Sequence, residues 1–394
     1  MLRLSIFVPV LVASCALASS VTATATTTAD IAAIEQSLDL ERLMKEHRVP
    51  GMSVAVIRNF QLAWAKGYGV TEMGGHRPVT ARTLFMAGSI SKPVTALGAL
   101  ALVGSGRLSL DGAVNEKLKS WHVPTTEDSA QGVTLARLLD HTAGFTGGEF
   151  FPGYAVGEPV PTLLEVLDGL KPARNPPVRL GAAPGSNWRY SGDGYLVVQQ
   201  LMMDVAGKPF PQLMRELVFD KLGMRSSTFD QPLPHALDSL AAAGTLADGT
   251  PVQGRWRVSP EMAAAGLWTT PSDLARLAIG LARAAQQAAA GHVLSKALAE
   301  DMLRPHVKEG VINILGSPED PDAMGYGFFV GEKRHRFGHI GGHVGYQATL
   351  VFFADTGDGA VIMTNSNVGL HAGNELLDAI ARQLHWNWAV PSPP

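Results

Sequence analysis

Apolar and polar positions divide the chain into blocks of different period. From about Asp30 to His47, Ile34, Leu38 and Leu43 fall on one face, which predicts a first helix. Residues 53–58 and 62–68 read as strands on either side of Asn59-Phe60-Gln61, the pattern of a hairpin. Beyond Gly88 the spacing lengthens. Val94, Leu97, Leu100 and Ala101 share one face, and the helix they predict stops at Gly104-Ser105-Gly106. Residues 108–287 alternate helical stretches with Gly- and Pro-rich loops such as 172–184. After Met324, short runs at 326–330, 334–340, 347–353 and 360–364 look like strands, and 373–384 reads as a closing helix. The two ends, 30–107 and 288–390, therefore read as one antiparallel sheet unit, with 108–287 as a mainly helical insertion. No internal repeat is found, and the Pro-rich tail after Val390 is expected to fray.

The N-terminus follows another logic. Met1-Leu2-Arg3, an apolar run over 4–13 and small residues up to Ala18 have the order of a secretory signal, so residues 1–18 are expected to be removed and 19–29 to form a linker. Two processing routes stay open. Ala16-Leu17-Ala18 is an A-x-A cleavage site, whereas Val12-Ala13-Ser14-Cys15 resembles a lipobox, with signal 1–14 and an N-terminal lipid anchor at Cys15. Both predict a periplasmic or secreted protein. Cys15 is the only cysteine, so packing rather than disulfides must hold the mature fold. No later apolar run reaches a membrane-spanning length; 274–285 is interrupted by Arg276 and Arg283.

Composition narrows the function classes. With 46% hydrophobic and 17% charged residues among 394, the chain can bury a large core. A net charge of -3 offers no cationic surface for a phosphate backbone, which argues against nucleic acid as a partner. Neither a G-x-S-x-G nucleophile elbow nor a P-loop is present. His335, His339 and His343 recur every four residues, but Gly338, Gly341 and Gly342 argue against a helix, and an extended strand would spread the three too far for one metal ion.

The residues most suggestive of chemistry are Ser89-Ile90-Ser91-Lys92. On a helix starting near Ser89 the Lys92 amine would meet the Ser89 hydroxyl three residues back. Pro93 supports that start, since proline is tolerated in a first turn. A serine there lies near free backbone N–H groups, and a lysine becomes a base once burial lowers its pKa. His141 and Thr142 read as braces of a helix start.

Several ordered segments carry a resemblance. Gly88–Lys92, Leu108-Ser109-Leu110-Asp111, the run Leu138-Leu139-Asp140-His141-Thr142-Ala143-Gly144-Phe145, the run from Pro184 to Gly192, Leu222-Gly223-Met224, Gly266–Thr270 and Gly338–Gly342 together are similar to the serine β-lactamase-like hydrolases. That superfamily includes class C β-lactamases, D,D-carboxypeptidases, D-aminopeptidases and related carboxylesterases. The resemblance covers about 49–384. It implies an α/β fold of the α+β type: an antiparallel sheet flanked by helices, with an inserted helical region. It further implies Ser89 as acylated nucleophile and Lys92 as its proton acceptor. Tyr190 would be a proton shuttle with its phenol pKa lowered by neighbouring cations. The N–H groups of Ser89 and Gly342 would form an oxyanion hole. His339, Ile340 and Gly341 stand where K-T-G occurs, and Gly192 stands where Y-x-N carries Asn.

Those departures shape the expected substrate. His339 would polarise the site and titrate near neutrality if it takes part. Ile340 lacks the hydroxyl that helps hold a substrate carboxylate, and Gly192 lacks an orienting amide. Of the expected substrate-binding positions Gly192, Ile340 and Gly341, two thus disfavour efficient penicillin hydrolysis. The expected activity is hydrolysis of a small ester, amide or peptide through an acyl-enzyme, with no cofactor. A β-lactamase, or a non-catalytic binder of peptidoglycan or peptide, is the alternative.

Overall fold

The computed structural model describes residues 28–388 except 38, 125–128, 130–131, 149, 288–292 and 387. The expected signal, the Cys15 anchor, most of the linker and the tail after Val390 lie outside the described residues. Seven strands form the main sheet: β1 (Gly51–Arg58), β2 (Gln61–Gly69), β3 (Ala323–Met324), β4 (Phe329–Gly331), β5 (Arg336–His343), β6 (Tyr346–Phe353) and β7 (Asp358–Thr364). Their order is β2-β1-β7-β6-β5-β4-β3, antiparallel at every pairing. The two ends of the chain thus meet where β1 pairs with β7, Met52 opposite Thr364.

Strands β1, β6 and β7 are apolar at successive positions because both faces of the sheet are covered. Ala55, Ile57, Leu350, Phe352, Val361 and Met363 point into the main core with the helical region. Their neighbours Val54, Val56, Val351, Phe353, Ala360 and Ile362 point the other way. There they meet Leu376, Leu377 and Ile380 of α6 (Gly369–Gln383) and Leu43 of α2 (Leu40–Glu46). The hairpin turn runs through Asn59 and Phe60, both at positive φ.

The expected first helix is two, α1 (Thr28–Ser37) and α2. Asp39 ends the continuity because its carboxylate accepts the Arg42 N–H at 3.0 Å and starts a new helix. The helical region includes α4 (Gly192–Ala206), packed with α3 (Ser91–Gly104) beneath the nucleophile turn, and α5 (Pro271–Gln286). Helix α5 lies before the expected boundary at 287, yet it packs on β1, β2 and β7 and serves the sheet. Among the described residues no helix is long and apolar enough to cross a membrane.

Candidate active site

Ser89 lies in a single 3-10 turn, Gly88–Ile90, that runs directly into α3. Residues three apart nearly eclipse in such a turn, and this brings the Lys92 Nζ to 2.9 Å from Ser89 Oγ. Ser91 fixes the turn from below. Its hydroxyl donates to the Gly88 carbonyl at 2.6 Å and accepts the Leu267 N–H at 3.0 Å. Lys92 is buried, and its second bond goes to the Ala264 carbonyl at 3.0 Å. That carbonyl belongs to the one-turn helix Met262–Ala265, whose last carbonyls lack helical partners; Thr95 takes the next one, Ala263, at 3.1 Å. No carboxylate among the described residues pairs with it, and burial pulls the Lys92 ammonium down to about 7.

Tyr190 lies across the site from this turn. Lys92 Nζ is 4.9 Å from the centre of its ring, and the Ser89 side chain is near enough to its phenol to oppose the rise of its pKa. The expected lowering of its pKa does not occur. Burial raises it above 10 and outweighs the opposing pull of Ser89, so the group is a phenol rather than a phenolate.

His141 holds Tyr190 from both sides in sequence. Its carbonyl accepts the Arg189 N–H at 3.0 Å, its Nδ1 accepts the Ser191 N–H at 3.1 Å, and its ring lies 4.6 Å from the phenol ring. The residue adopts φ +65°, a conformation unfavourable for a side chain of its size, and Asp140 supports it by accepting both the N–H and the hydroxyl of Thr142. The motif does brace a helix start, that of α4. Nothing in the local pattern of residues marks the same brace as gripping Tyr190.

The backbone of β5 reaches the nucleophile because glycines leave room for it. A Cβ on Gly88 would lie 2.5 Å from the Gly342 carbonyl oxygen, and one on Gly341 would lie 2.0 Å from that of Ala87. Gly342 is thereby brought against the turn that carries Ser89. Beyond it, His343 Nε2 and Ser259 Oγ share a buried 2.8 Å hydrogen bond that ties the strand end to the segment leading to Ala264.

Three expectations need correction. His339 is buried, and its pKa falls to about 3 through desolvation and the nearby Lys92, so it is neutral at physiological pH, whereas Lys92 beside the nucleophile titrates near neutrality. Gly192 does not face a substrate: a Cβ there would meet the Gly148 carbonyl at 2.3 Å and the Phe151 ring at 2.4 Å, and the space an Asn side chain would need is filled. Gly341 is likewise covered, by Ala87. Of the three expected substrate-binding positions only Ile340 is partly open, packed like Tyr190 and Trp188 against the cluster of Leu315, Met324 and Phe329. Asp193 does not replace the missing amide, because its carboxylate turns onto Gly147 and Gly148.

These features agree with the kinship found by comparison. The family model described as Beta-lactamase matches residues 39–385, and the chain belongs to that family. It is 28% identical over 209 residues to Esterase EstB of Burkholderia gladioli, covering 51% of this chain and 53% of that one. It is 30% identical over 246 residues to a Beta-lactamase of Pseudomonas fluorescens, covering 61% and 63%. Both matches span less than two thirds of the relative. The octameric penicillin-binding protein homologue from Pyrococcus abyssi superposes with a TM-score of 0.73 at 23% identity, covering 90% of this chain and 78% of that one, and so shares the fold. The fold is thus the β-lactamase/transpeptidase-like one expected from the sequence.

Proposed function

We propose that the protein is a serine hydrolase that cleaves a carboxylic ester, or an amide without an adjacent carboxylate, through an acyl-enzyme at Ser89. The observation that carries this reading is the buried Lys92 amine at 2.9 Å from Ser89 Oγ with its pKa near 7. A neutral amine there takes the Ser89 proton as Oγ attacks the carbonyl carbon. The oxyanion develops between the Ser89 and Gly342 N–H groups. As the C–O or C–N bond breaks, the Tyr190 phenol gives its proton to the leaving group and is reprotonated from Lys92. Water reverses the sequence and frees the acid.

Esterase activity ranks above β-lactamase activity because the K-T-G position carries neutral His339 and apolar Ile340. The signal-like segment 1–18 supports export to the periplasm or beyond, with Cys15 lipidation as the alternative to cleavage after Ala18. The mass of the mature N-terminus distinguishes the two.

Intact-mass spectrometry after exposure to a fluorophosphonate and to ester, D-amino acid amide and β-lactam substrates tests the reading. One covalent adduct is expected, lost in Ser89→Ala. Undiminished labelling of that variant would refute the assignment.

A further inference from the structure

The 307–315 loop and strand β5 build a surface that the reaction steps leave unused. Trp188, Val311, Ile314 and Ile340, each only partly buried, pack with Tyr190 around buried Leu315, Met324 and Phe329. The result is an apolar wall that continues from the Tyr190 ring.

The wall is rigidly supported from behind. Asp322 Oδ2 accepts the N–H groups of Ile314 and Leu315 at 2.6 Å each, and its other oxygen pairs with Arg336 Nη1 at 2.7 Å. Both charged side chains are fully buried. Asn313 completes the loop by accepting the Asp322 N–H at 2.9 Å. Arg336 also donates to the Asp320 carbonyl at 3.1 Å, and a buried pair that holds two loop N–H groups on one oxygen and a guanidinium on the other fixes one arrangement of the loop rather than several.

The wall also lacks what a carboxylate needs. The Trp188 Nε1–H is buried without a partner, away from solvent. His339 Nδ1 is 2.5 Å from the Ile340 carbonyl, which can only accept, so the neutral ring carries its hydrogen on Nδ1 and leaves a bare lone pair on Nε2. A substrate carboxylate would meet hydrocarbon at these partly open side chains, and buried His339 Nε2 carries no hydrogen to donate to it.

We propose that this wall is the site for the leaving alcohol of an ester, and that the alcohol carries an alkyl group without a carboxylate. The inference rests on the acyl-enzyme reading above, in which Tyr190 protonates the leaving oxygen and so places the alcohol on its own side of the scissile bond. The buried ion pair makes the wall a preformed subsite, so the preference belongs to binding rather than to rearrangement.

The test uses three butanoate esters with the same acyl group and leaving alcohols of similar basicity: ethyl, n-butyl, and the ester of 4-hydroxybutanoate. Two further methylenes on the wall should raise kcat/KM of the butyl ester about tenfold over ethyl, and the terminal carboxylate should remove that gain. Ile314→Ser and Ile340→Thr, both at partly open positions, should fold and bring the ethyl and butyl esters to within about threefold of each other. Equal kcat/KM for all three esters, or an unchanged butyl preference in both folded variants, overturns the inference. Butanoyl adduct on Ser89 separates the two levels: an adduct without alcohol preference defeats the subsite alone, and no adduct from any ester defeats the acyl-enzyme reading with it.

Discussion

Lys92 is buried, and the ammonium is the form that burial disfavours. Its pKa near 7 in the folded chain lies well below the value of about 10.4 in an unfolded one. Between those two pH values the unfolded chain holds a proton that the folded one lacks, so this group makes stability rise with pH through the window; below about 7 its penalty is complete, about 5 kcal/mol. Lys92→Met should remove that penalty at a cost of about 1–3 kcal/mol for the Ala264 carbonyl left bare. The variant should be inactive, more stable than the parent in urea at pH 7, and without that advantage at pH 10. Activity has the same origin. Acylation should increase about tenfold per pH unit below 7 and level off above it, while Lys92→Arg should abolish it. Glu261, also buried and raised to about 7, titrates in the same range, so Glu261→Gln should keep the limb if Lys92 sets it.

His141 allows a finer test on Tyr190. Glycine suits φ +65° but offers no acceptor to the Ser191 N–H, whereas the Asn oxygen sits as many bonds from the backbone as Nδ1 and Asn tolerates that φ. His141→Gly should fold and lose at least tenfold in kcat with little change in KM, and His141→Asn should recover most of it. Equal activity in the two would show that the grip on Ser191 does not position the phenol.

At the scale of elements, the loop carrying Gly148 and Phe151 fills the space that an Asn side chain at position 192, on α4, would need. Supplying that side chain should therefore fail. Gly192→Asn would drive its Cβ into the Gly148 carbonyl and the Phe151 ring, and overpacking of this kind costs about 1–3 kcal/mol. Denaturant unfolding should register that loss, with no gain in penicillin turnover. The sequence foreshadowed the glycine but not its reason, because Phe151 stands 41 residues away and nothing in its own neighbourhood points to α4. Elements whose signal is local were legible: the Asn59-Phe60 hairpin, helix α3 with Pro93 in its first turn, and the strands after Met324. Those that depend on distant partners were not. Helix α5 looked like part of the insertion because an amphipathic pattern marks a buried face without saying what covers it. The Ala264 acceptor of Lys92 carries no sequence signal at all, since any residue supplies a carbonyl. The pKa of Tyr190 departs from expectation for a related reason: motif order places the phenol beside a lysine, but only the packing tells that the lysine is near-neutral and that desolvation dominates.

Across the whole molecule, the sheet separates two apolar bodies with different duties. The larger holds α3, α4 and the segment of Ala263 and Ala264, and so borders the nucleophile. The smaller lies on the opposite face, where α6 and α2 cover β1, β6 and β7, and it touches no group in the proposed reaction. Stability and catalysis should therefore come apart according to which face is changed. Leu376, fully buried in the smaller body, should cost about 2–5 kcal/mol when replaced by Ala, because the sheet on one side and the helix backbone on the other leave little room to collapse the cavity. The site is anchored by contacts on the other face, from Ser91 to Leu267 and from Lys92 to Ala264, and these survive the change. Leu376→Ala should lower the urea midpoint clearly while kcat/KM, measured well below the unfolding transition, stays within about twofold of the parent. A proportional fall in both would mean that the sheet transmits packing on its outer face to the nucleophile turn, and that the two bodies act as one.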